Sequence, residues 1–131
     1  MLVAEGGLRH ALRRLPGRKI LYSNAPLDYI EAILGLLRVG VLFDAVYSVE
    51  HTRFRPKPDP AGLRQLLEAE QLLPSRAILV EDTLANLRTA KRLGLKTVWV
   101  SRERRVPAYV DRRVGSVLEL PRLAGRLGAA G

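Results

Sequence analysis

The sequence contains no cysteine, few aromatic residues and no long apolar run. Without cysteine it can form neither a disulfide nor a thiolate metal site. No stretch approaches the roughly 20 apolar residues that a membrane-spanning helix needs, and the first residues lack the apolar core of a signal peptide. We therefore expect a cytoplasmic protein without a membrane segment. Its length of 131 residues is that of one domain large enough to bury a core.

Acidic residues are also scarce, since 13 of them stand against 22 lysines and arginines, for a formal net charge of +9. Such a balance can indicate nucleic-acid binding. The basic residues are scattered, however, apart from Arg102, Arg104 and Arg105 in a predicted loop, and the low aromatic content offers few surfaces for stacking bases. The sequence therefore disfavours nucleic acid as a partner, and a phosphorylated small molecule would account for part of the charge.

The apolar pattern alternates between helical and strand periods. It predicts helices over residues 8–15, 26–40, 61–72 and 83–93, and strands over 19–22, 43–49, 77–80, 97–100 and 114–117. This order is typical of an α/β fold with a doubly wound parallel sheet. We expect a single domain over 1–131, divided into a leading helix in 1–17, a core in 18–120, and a C-terminal helix and tail in 121–131.

The segment 77–86 organises the chain. Four apolar residues run straight into Glu81 and Asp82, and a helical pattern resumes at once. This is the pattern of a buried strand that ends in a polar loop, and ligands of parallel α/β sheets bind at such junctions. The two acids are therefore the first candidates for chemistry, although they could instead interact with the dipole of the following helix.

Polar groups also follow two other predicted strands. Ser23 and Asn24 come after the strand at 19–22, and Lys57 lies in a segment, 51–60, that three prolines should stiffen. If the strands are parallel, these groups gather with the two acids at one edge of the sheet. A hydroxyl, a cation and a carboxylate pair together suit a phosphoryl group and its Mg²⁺.

Each of these residues also has a purely structural interpretation. Ser23 and Asn24 could cap the helix that begins near Pro26. Lys57 alone could be an ordinary solvated lysine. Asp59 is better interpreted as the N-cap of the next helix than as a catalytic acid.

Three segments in this order resemble motifs II, III and IV of the haloacid dehalogenase superfamily of phosphohydrolases. Residues 20–25 read Ile-Leu-Tyr-Ser-Asn-Ala, residues 55–60 read Arg-Pro-Lys-Pro-Asp-Pro, and residues 80–86 read Val-Glu-Asp-Thr-Leu-Ala-Asn. The resemblance extends from about residue 8 to residue 123. Within the superfamily the combination is most similar to the pyrimidine 5'-nucleotidase group, whose members remove phosphate from nucleoside monophosphates.

The resemblance implies roles for particular residues. It implies that Ser23 hydrogen-bonds the transferring phosphate, that Asn24 assists through its backbone, and that Lys57 stabilises the phosphorylated intermediate. Asp82 is implied to bind Mg²⁺, with Glu81 as a second partner, directly or through water. Two further residues are implied to steady this loop, Thr83 and Asn86.

The sequence departs from the family pattern at its beginning. The family's motif I, Asp-x-Asp-x-Thr/Val, carries the nucleophilic aspartate and does not occur here. In the family its strand lies between the strands predicted at 19–22 and 77–80, and the cap region that follows it is absent as well. We therefore expect this to be the C-terminal portion of a longer protein, with little or no phosphatase activity in the isolated chain.

Two other interpretations were weighed. A non-catalytic remnant that binds phosphate or a partner chain is favoured by the missing motif. A response-regulator receiver domain also combines acids, a hydroxyl and a lysine, but there the acid pair comes first and the lysine last, whereas here Ser23 and Lys57 precede the acids. The sequence leaves the identity of the substrate and the oligomeric state open.

Overall fold

The structure is a computed structural model that describes residues 5–51 and 55–123. Helices and strands alternate along these residues, as predicted. The helices are α1 (Glu5–Arg14), α2 (Leu27–Leu37), α3 (Pro60–Ala69) and α4 (Leu84–Arg92), and the strands are β1 (Ile20–Tyr22), β2 (Ala45–Tyr47), β3 (Ile78–Glu81), β4 (Lys96–Val100) and β5 (Arg112–Val114). None of the helices in this described part is long and apolar enough to cross a membrane.

The strands form two parallel sheets. β1 pairs with β2, and the second sheet has the order β3-β4-β5. The predicted α/β class with parallel pairing is therefore confirmed. Within the described residues β1 and β3 are not hydrogen-bonded to each other. It is between these two strands that the sequence analysis places the strand of the missing motif.

Helix α3 begins as the sequence predicts. The Asp59 carboxylate accepts a hydrogen bond of 2.8 Å from the backbone N–H of Ala61, and Pro60 occupies the first turn, where no N–H is needed. Asp59 is thus an N-cap, as expected. The helix buries Leu63 and Leu67 against residues of α4 and the segment after it.

Helix α4 ends at a left-handed residue that favours glycine. Gly94 has φ +97°, and its N–H donates to the Lys91 carbonyl at 3.0 Å. The next N–H, from Leu95, donates to the Ala90 carbonyl at 3.0 Å, which completes the pattern of a Schellman motif. The predicted cap at Gly94 is confirmed, and it directs the chain into β4 beneath the helix.

Three predicted boundaries are wrong. The strand predicted at 43–49 covers only Ala45–Tyr47, and helix α2 ends at Leu37 rather than near residue 40, because Arg38 takes a left-handed conformation (φ 55°) and Gly40–Leu42 forms a 3₁₀ turn. The last strand lies at Arg112–Val114 rather than 114–117. There Ser116 and Glu119 form a capping box, which commits the residues between them to a 3₁₀ turn.

A helical turn at 120–123 contains Pro121, where a last helix is predicted to open. The remainder of that predicted helix and the glycine-rich tail lie outside the described residues.

Thr97 fastens the start of β4 to the chain that returns to β5. Its side chain is fully buried, and its hydroxyl donates to the Tyr109 carbonyl at 2.6 Å and accepts from the Asp111 N–H at 3.0 Å. Thr97→Val should lower the free energy of unfolding by about 1–3 kcal/mol, since both backbone groups lose their partner. Urea denaturation measures this loss, and Thr97→Ser, which keeps the hydroxyl, is the control. A valine variant as stable as the serine variant would contradict the expectation.

Candidate active site

Lys57 occupies the space between the carboxyl ends of β1 and β3. Its ammonium lies 2.6 Å from Glu81 Oε1 and donates to the Tyr22 carbonyl at 3.3 Å. The side chains of Lys57 and Glu81 are only 13% and 8% exposed. Tyr22 ends β1 and Glu81 ends β3, so this single cation links the two sheets. The interpretation of Lys57 as an ordinary solvated lysine is therefore wrong.

The Glu81 carboxylate is surrounded by donors. Besides Lys57, Oε1 accepts from the side-chain amide of Asn86 at 2.9 Å. Oε2 accepts from the backbone N–H groups of Asp82 at 2.9 Å and Thr83 at 3.1 Å. Four protein donors therefore fix the turn that follows β3, and Asn86 and Thr83 do lie where they can steady this loop.

Asp82, in contrast, is exposed. Its Oδ1 accepts from the Thr83 hydroxyl at 3.2 Å. Hydrogen bonding with the Glu81 carboxyl lowers the pKa of Asp82; burial opposes this shift, while the Thr83 hydroxyl and the positive charge of Lys57 reinforce it. Asp82 is consequently an anion at neutral pH with an oxygen facing solvent.

The Asn24 side chain holds the backbone of Lys57 at two points. Asn24 Oδ1 accepts from the Lys57 N–H at 2.7 Å, and Nδ2 donates to the Lys57 carbonyl at 3.3 Å. The contact joins the end of β1 to a segment 33 residues away in sequence. The sequence analysis anticipated only a backbone contribution from Asn24, and the structure adds this side-chain one.

Ser23 lies between two residues that contact Lys57, namely Tyr22 and Asn24. Its N–H donates to the Tyr47 carbonyl at 3.0 Å, which extends the β1–β2 ladder, and its hydroxyl accepts from the Ala25 N–H at 3.1 Å. The structure therefore brings Ser23, Asn24, Lys57, Glu81 and Asp82 to one edge.

The alternative role of Ser23 and Asn24 as helix caps is wrong. Residue Pro26 occupies the N-cap position of α2 and makes no side-chain capping bond. The carboxylate of Glu50, after β2, instead accepts from the Leu27 N–H at 3.2 and 3.1 Å. The side chains at the end of β1 thus remain directed to Lys57 and to their own turn.

Two aromatic residues of this edge had no assigned role in the sequence analysis. The Tyr22 ring lies beneath the Lys57 ammonium, 5.0 Å from ring centroid to nitrogen. Burial raises the pKa of its phenol to about 12, and the negative charges of Asp59 and Glu81 add to the shift. Trp99 of β4, which is buried, donates its indole N–H to the Asp82 carbonyl at 3.0 Å. Tyr22 adjoins Ser23 in the motif, whereas no sequence signal pointed to Trp99.

The donors at this edge fit a magnesium ion. Mg²⁺ prefers oxygen ligands, keeps several waters and is commonly held by one or two carboxylates together with substrate phosphate. Asp82 offers an exposed ionised oxygen, and Glu81 is its neighbour. Within residues 5–51 and 55–123 no three histidine, aspartate or glutamate side chains are grouped so as to hold a metal, so these carboxylates are the available protein ligands.

Comparison with known proteins identifies the family. Residues 20–100 match the family model of the haloacid dehalogenase-like hydrolases, and the matched range includes every residue of the edge described above. The chain belongs to this family.

Particular relatives are phosphatases. The chain is 33% identical over 88 residues to validoxylamine A 7'-phosphate phosphatase of Streptomyces hygroscopicus subsp. limoneus, which covers 67% of this chain and 41% of the relative. It is 34% identical over 74 residues to the pyrophosphatase PpaX of Bacillus velezensis, covering 56% of this chain and 34% of the relative. The chain thus spans less than half the length of these two relatives.

A solved structure has the same fold. L-2-haloacid dehalogenase from Xanthobacter autotrophicus superposes with a TM-score of 0.79 at 22% sequence identity, covering 89% of this chain and 59% of that one. The arrangement of helices and parallel strands described above is therefore that of the haloacid dehalogenase core.

The buried ion pair should be strongly cooperative. Lys57→Met and Glu81→Gln should each lower the free energy of unfolding by about 3 kcal/mol, because each leaves a buried group without its partner. The double variant should lose less than the sum of the two, as urea denaturation of all four proteins will measure. Strictly additive losses would show that the two groups do not depend on each other.

Proposed function

We propose that this chain carries the phosphate- and metal-binding residues of a Mg²⁺-dependent phosphohydrolase of the haloacid dehalogenase type. The observation that carries the proposal is the position of the Lys57 ammonium, held between the Tyr22 carbonyl and the Glu81 carboxylate beside the exposed Asp82. A fixed cation and an oxygen ligand for a divalent ion, side by side, suit a phosphoryl group. The phosphatase relatives support the same chemistry.

Each residue of the edge receives a proposed role. Lys57 neutralises charge on the phosphoryl oxygens, and the Ser23 hydroxyl with the adjoining backbone of Asn24 fixes their orientation. Asp82 holds Mg²⁺, with Glu81 as a second partner; when bound, the ion supplies further positive charge at the phosphoryl oxygens. Two neighbours position these acids through the hydrogen bonds described above, Thr83 and Asn86.

The substrate class we propose is the nucleoside monophosphates. The support is the resemblance of the motifs around Ser23, Lys57 and Asp82 to those of the pyrimidine 5'-nucleotidase group. The proposed division of the chain, with a core in 18–120 that contains all three motifs, follows from the same resemblance. A cytoplasmic location stays a prediction from the sequence.

Trp99 provides a direct test of binding, because it is the single tryptophan of the chain and donates to the Asp82 carbonyl. Mg²⁺ with orthophosphate should change its fluorescence along a saturable curve. Asp82→Asn should weaken the apparent Mg²⁺ affinity by about tenfold or more, since the amide lacks the carboxylate's charge. Asp28→Asn, at an exposed acid of α2, is the matched control. Equal affinities in the two variants would contradict the proposed site.

The isolated chain should release little or no phosphate from nucleoside monophosphates or an aryl phosphate in the presence of Mg²⁺. The reason is that its residues can hold a phosphoryl group, but no Asp-x-Asp segment supplies a nucleophile. A phosphate-release assay of the chain and of Asp82→Asn measures this. Turnover that the substitution abolishes would show that a nucleophile is present after all.

A non-catalytic remnant that binds phosphate or a partner chain is the second candidate. The observation in its favour is that β1 and β3 are unpaired with each other in the described part of the chain, and that Ile78 of β3 is 41% exposed. The coding DNA upstream of Met1 separates the candidates. An in-frame Asp-x-Asp-x-Thr segment supports the enzyme, whereas an immediately preceding stop codon supports the remnant.

A further inference from the structure

An unpaired basic cluster begins beside the candidate site. Arg102, Arg104 and Arg105 lie at the start of the crossover, residues 101–111, that connects β4 to β5. All three side chains are exposed, and within the described residues none of them has a hydrogen bond or an ion pair. We call residues 101–105 the arginine loop.

The arginine loop starts at the same sheet edge as the two acids. β3 and β4 are adjacent parallel strands, with Glu81 opposite Trp99, and neighbouring strands lie about 5 Å apart. The Trp99 indole donates to the Asp82 carbonyl at 3.0 Å. The loop therefore begins two residues beyond a direct contact with Asp82, within the reach of an arginine side chain from a ligand held there.

The base of the loop is fixed while its guanidinium groups are not. The Ser101 N–H donates to the Val114 carbonyl at 2.8 Å, and the Arg113 guanidinium donates to the Ser101 carbonyl at 2.7 Å. The Ser101 hydroxyl accepts from the Glu103 N–H at 3.1 Å, which shapes the first turn. The backbone is thus held by β5, and the cationic ends remain available to an anion.

The nearest carboxylate does not neutralise the loop. Arg102 lies against Gly115, as does an oxygen of Glu119. That oxygen accepts the Ser116 N–H at 2.9 Å in the capping box, and Glu119 forms no ion pair with Arg102. The role of Glu119 is therefore to terminate β5, and it leaves Arg102 without a partner.

Charge at this edge indicates what the loop binds. Lys57 is already paired with Glu81, and Asp82 adds a negative charge, so the candidate site has little positive charge to spare for a second anionic group. The arginine loop supplies three positive charges next to it. Arginine binds phosphate through two parallel hydrogen bonds, and the loop contains no aromatic residue on which the bases of a nucleic acid could stack.

We propose that the arginine loop binds a second phosphate group carried by the leaving group of the substrate, so that the substrate is a nucleoside bisphosphate. The inference rests on the proposed function, because it takes the first phosphate to lie at Lys57 and Asp82. It replaces a neutral nucleoside as the leaving group by one that carries its own phosphate.

The test compares two probes on the full chain with Mg²⁺ at low salt. Titrations of uridine 5'-monophosphate and uridine 3',5'-bisphosphate are followed by calorimetry and by Trp99 fluorescence. The bisphosphate should bind about tenfold more tightly or better, and the difference should shrink in high salt. The triple variant Arg102→Gln, Arg104→Gln, Arg105→Gln should lose this preference and keep its affinity for the monophosphate.

A second triple variant is matched in charge. Arg64→Gln, Arg76→Gln and Arg92→Gln change three exposed arginines, in α3, before β3 and at the end of α4, and should keep the preference. The proposal is overturned if the bisphosphate binds no more tightly, if the preference survives in the loop variant, or if both variants lose it equally. It is also overturned if a single-stranded oligonucleotide binds through the loop more tightly than the bisphosphate.

Failure of this inference differs from failure of the proposed function. If monophosphate binding depends on Asp82 but the bisphosphate has no advantage, the arginine loop alone loses its assignment. If monophosphate binding is unchanged in Asp82→Asn, the candidate site itself is wrong.

Discussion

The contact between the Lys57 ammonium and the Glu81 carboxylate is the interaction on which the rest of the structure depends. A nearly buried lysine is stable only when a carboxylate and further acceptors compensate for the water it loses. Here the compensation comes from the last residues of two strands in different sheets, Tyr22 and Glu81. The same contact that connects the sheets therefore places a fixed cation at the edge where a phosphoryl group is proposed to bind.

The two adjacent acids have different surroundings, which separates their functions. Four donors surround the Glu81 carboxylate, so it organises the turn and holds Lys57. Asp82 points into solvent and keeps its carbonyl anchored to Trp99. We infer that Asp82 is the principal ligand for a divalent ion, and that Glu81 acts on the ion mainly through water or through its effect on Asp82.

Sequence reasoning succeeds here where a signal is local. Asp59 before a proline-led helix and Gly94 after α4 were predictable, because a cap depends on residues one turn away. The meeting of Ser23, Lys57 and Asp82 followed from the rule that parallel strands end at one edge. The side-chain clamp of Asn24 on Lys57 was not predictable, since it depends on how two distant segments pack. The bond from Trp99 to Asp82 could not be read from the sequence for the same reason.

Paramagnetic broadening by Mn²⁺, in place of Mg²⁺, tests the central claim most directly. In ¹⁵N-labelled chain with orthophosphate, substoichiometric Mn²⁺ should broaden the backbone amide signals of Asp82 and Thr83 most strongly, and those of Ser23, Asn24 and Lys57 next. That result would place the ion and the phosphate-binding residues within one small volume. Broadening centred on acids remote from this edge, such as Asp28 or Asp44, with these five amides unaffected, would contradict the account.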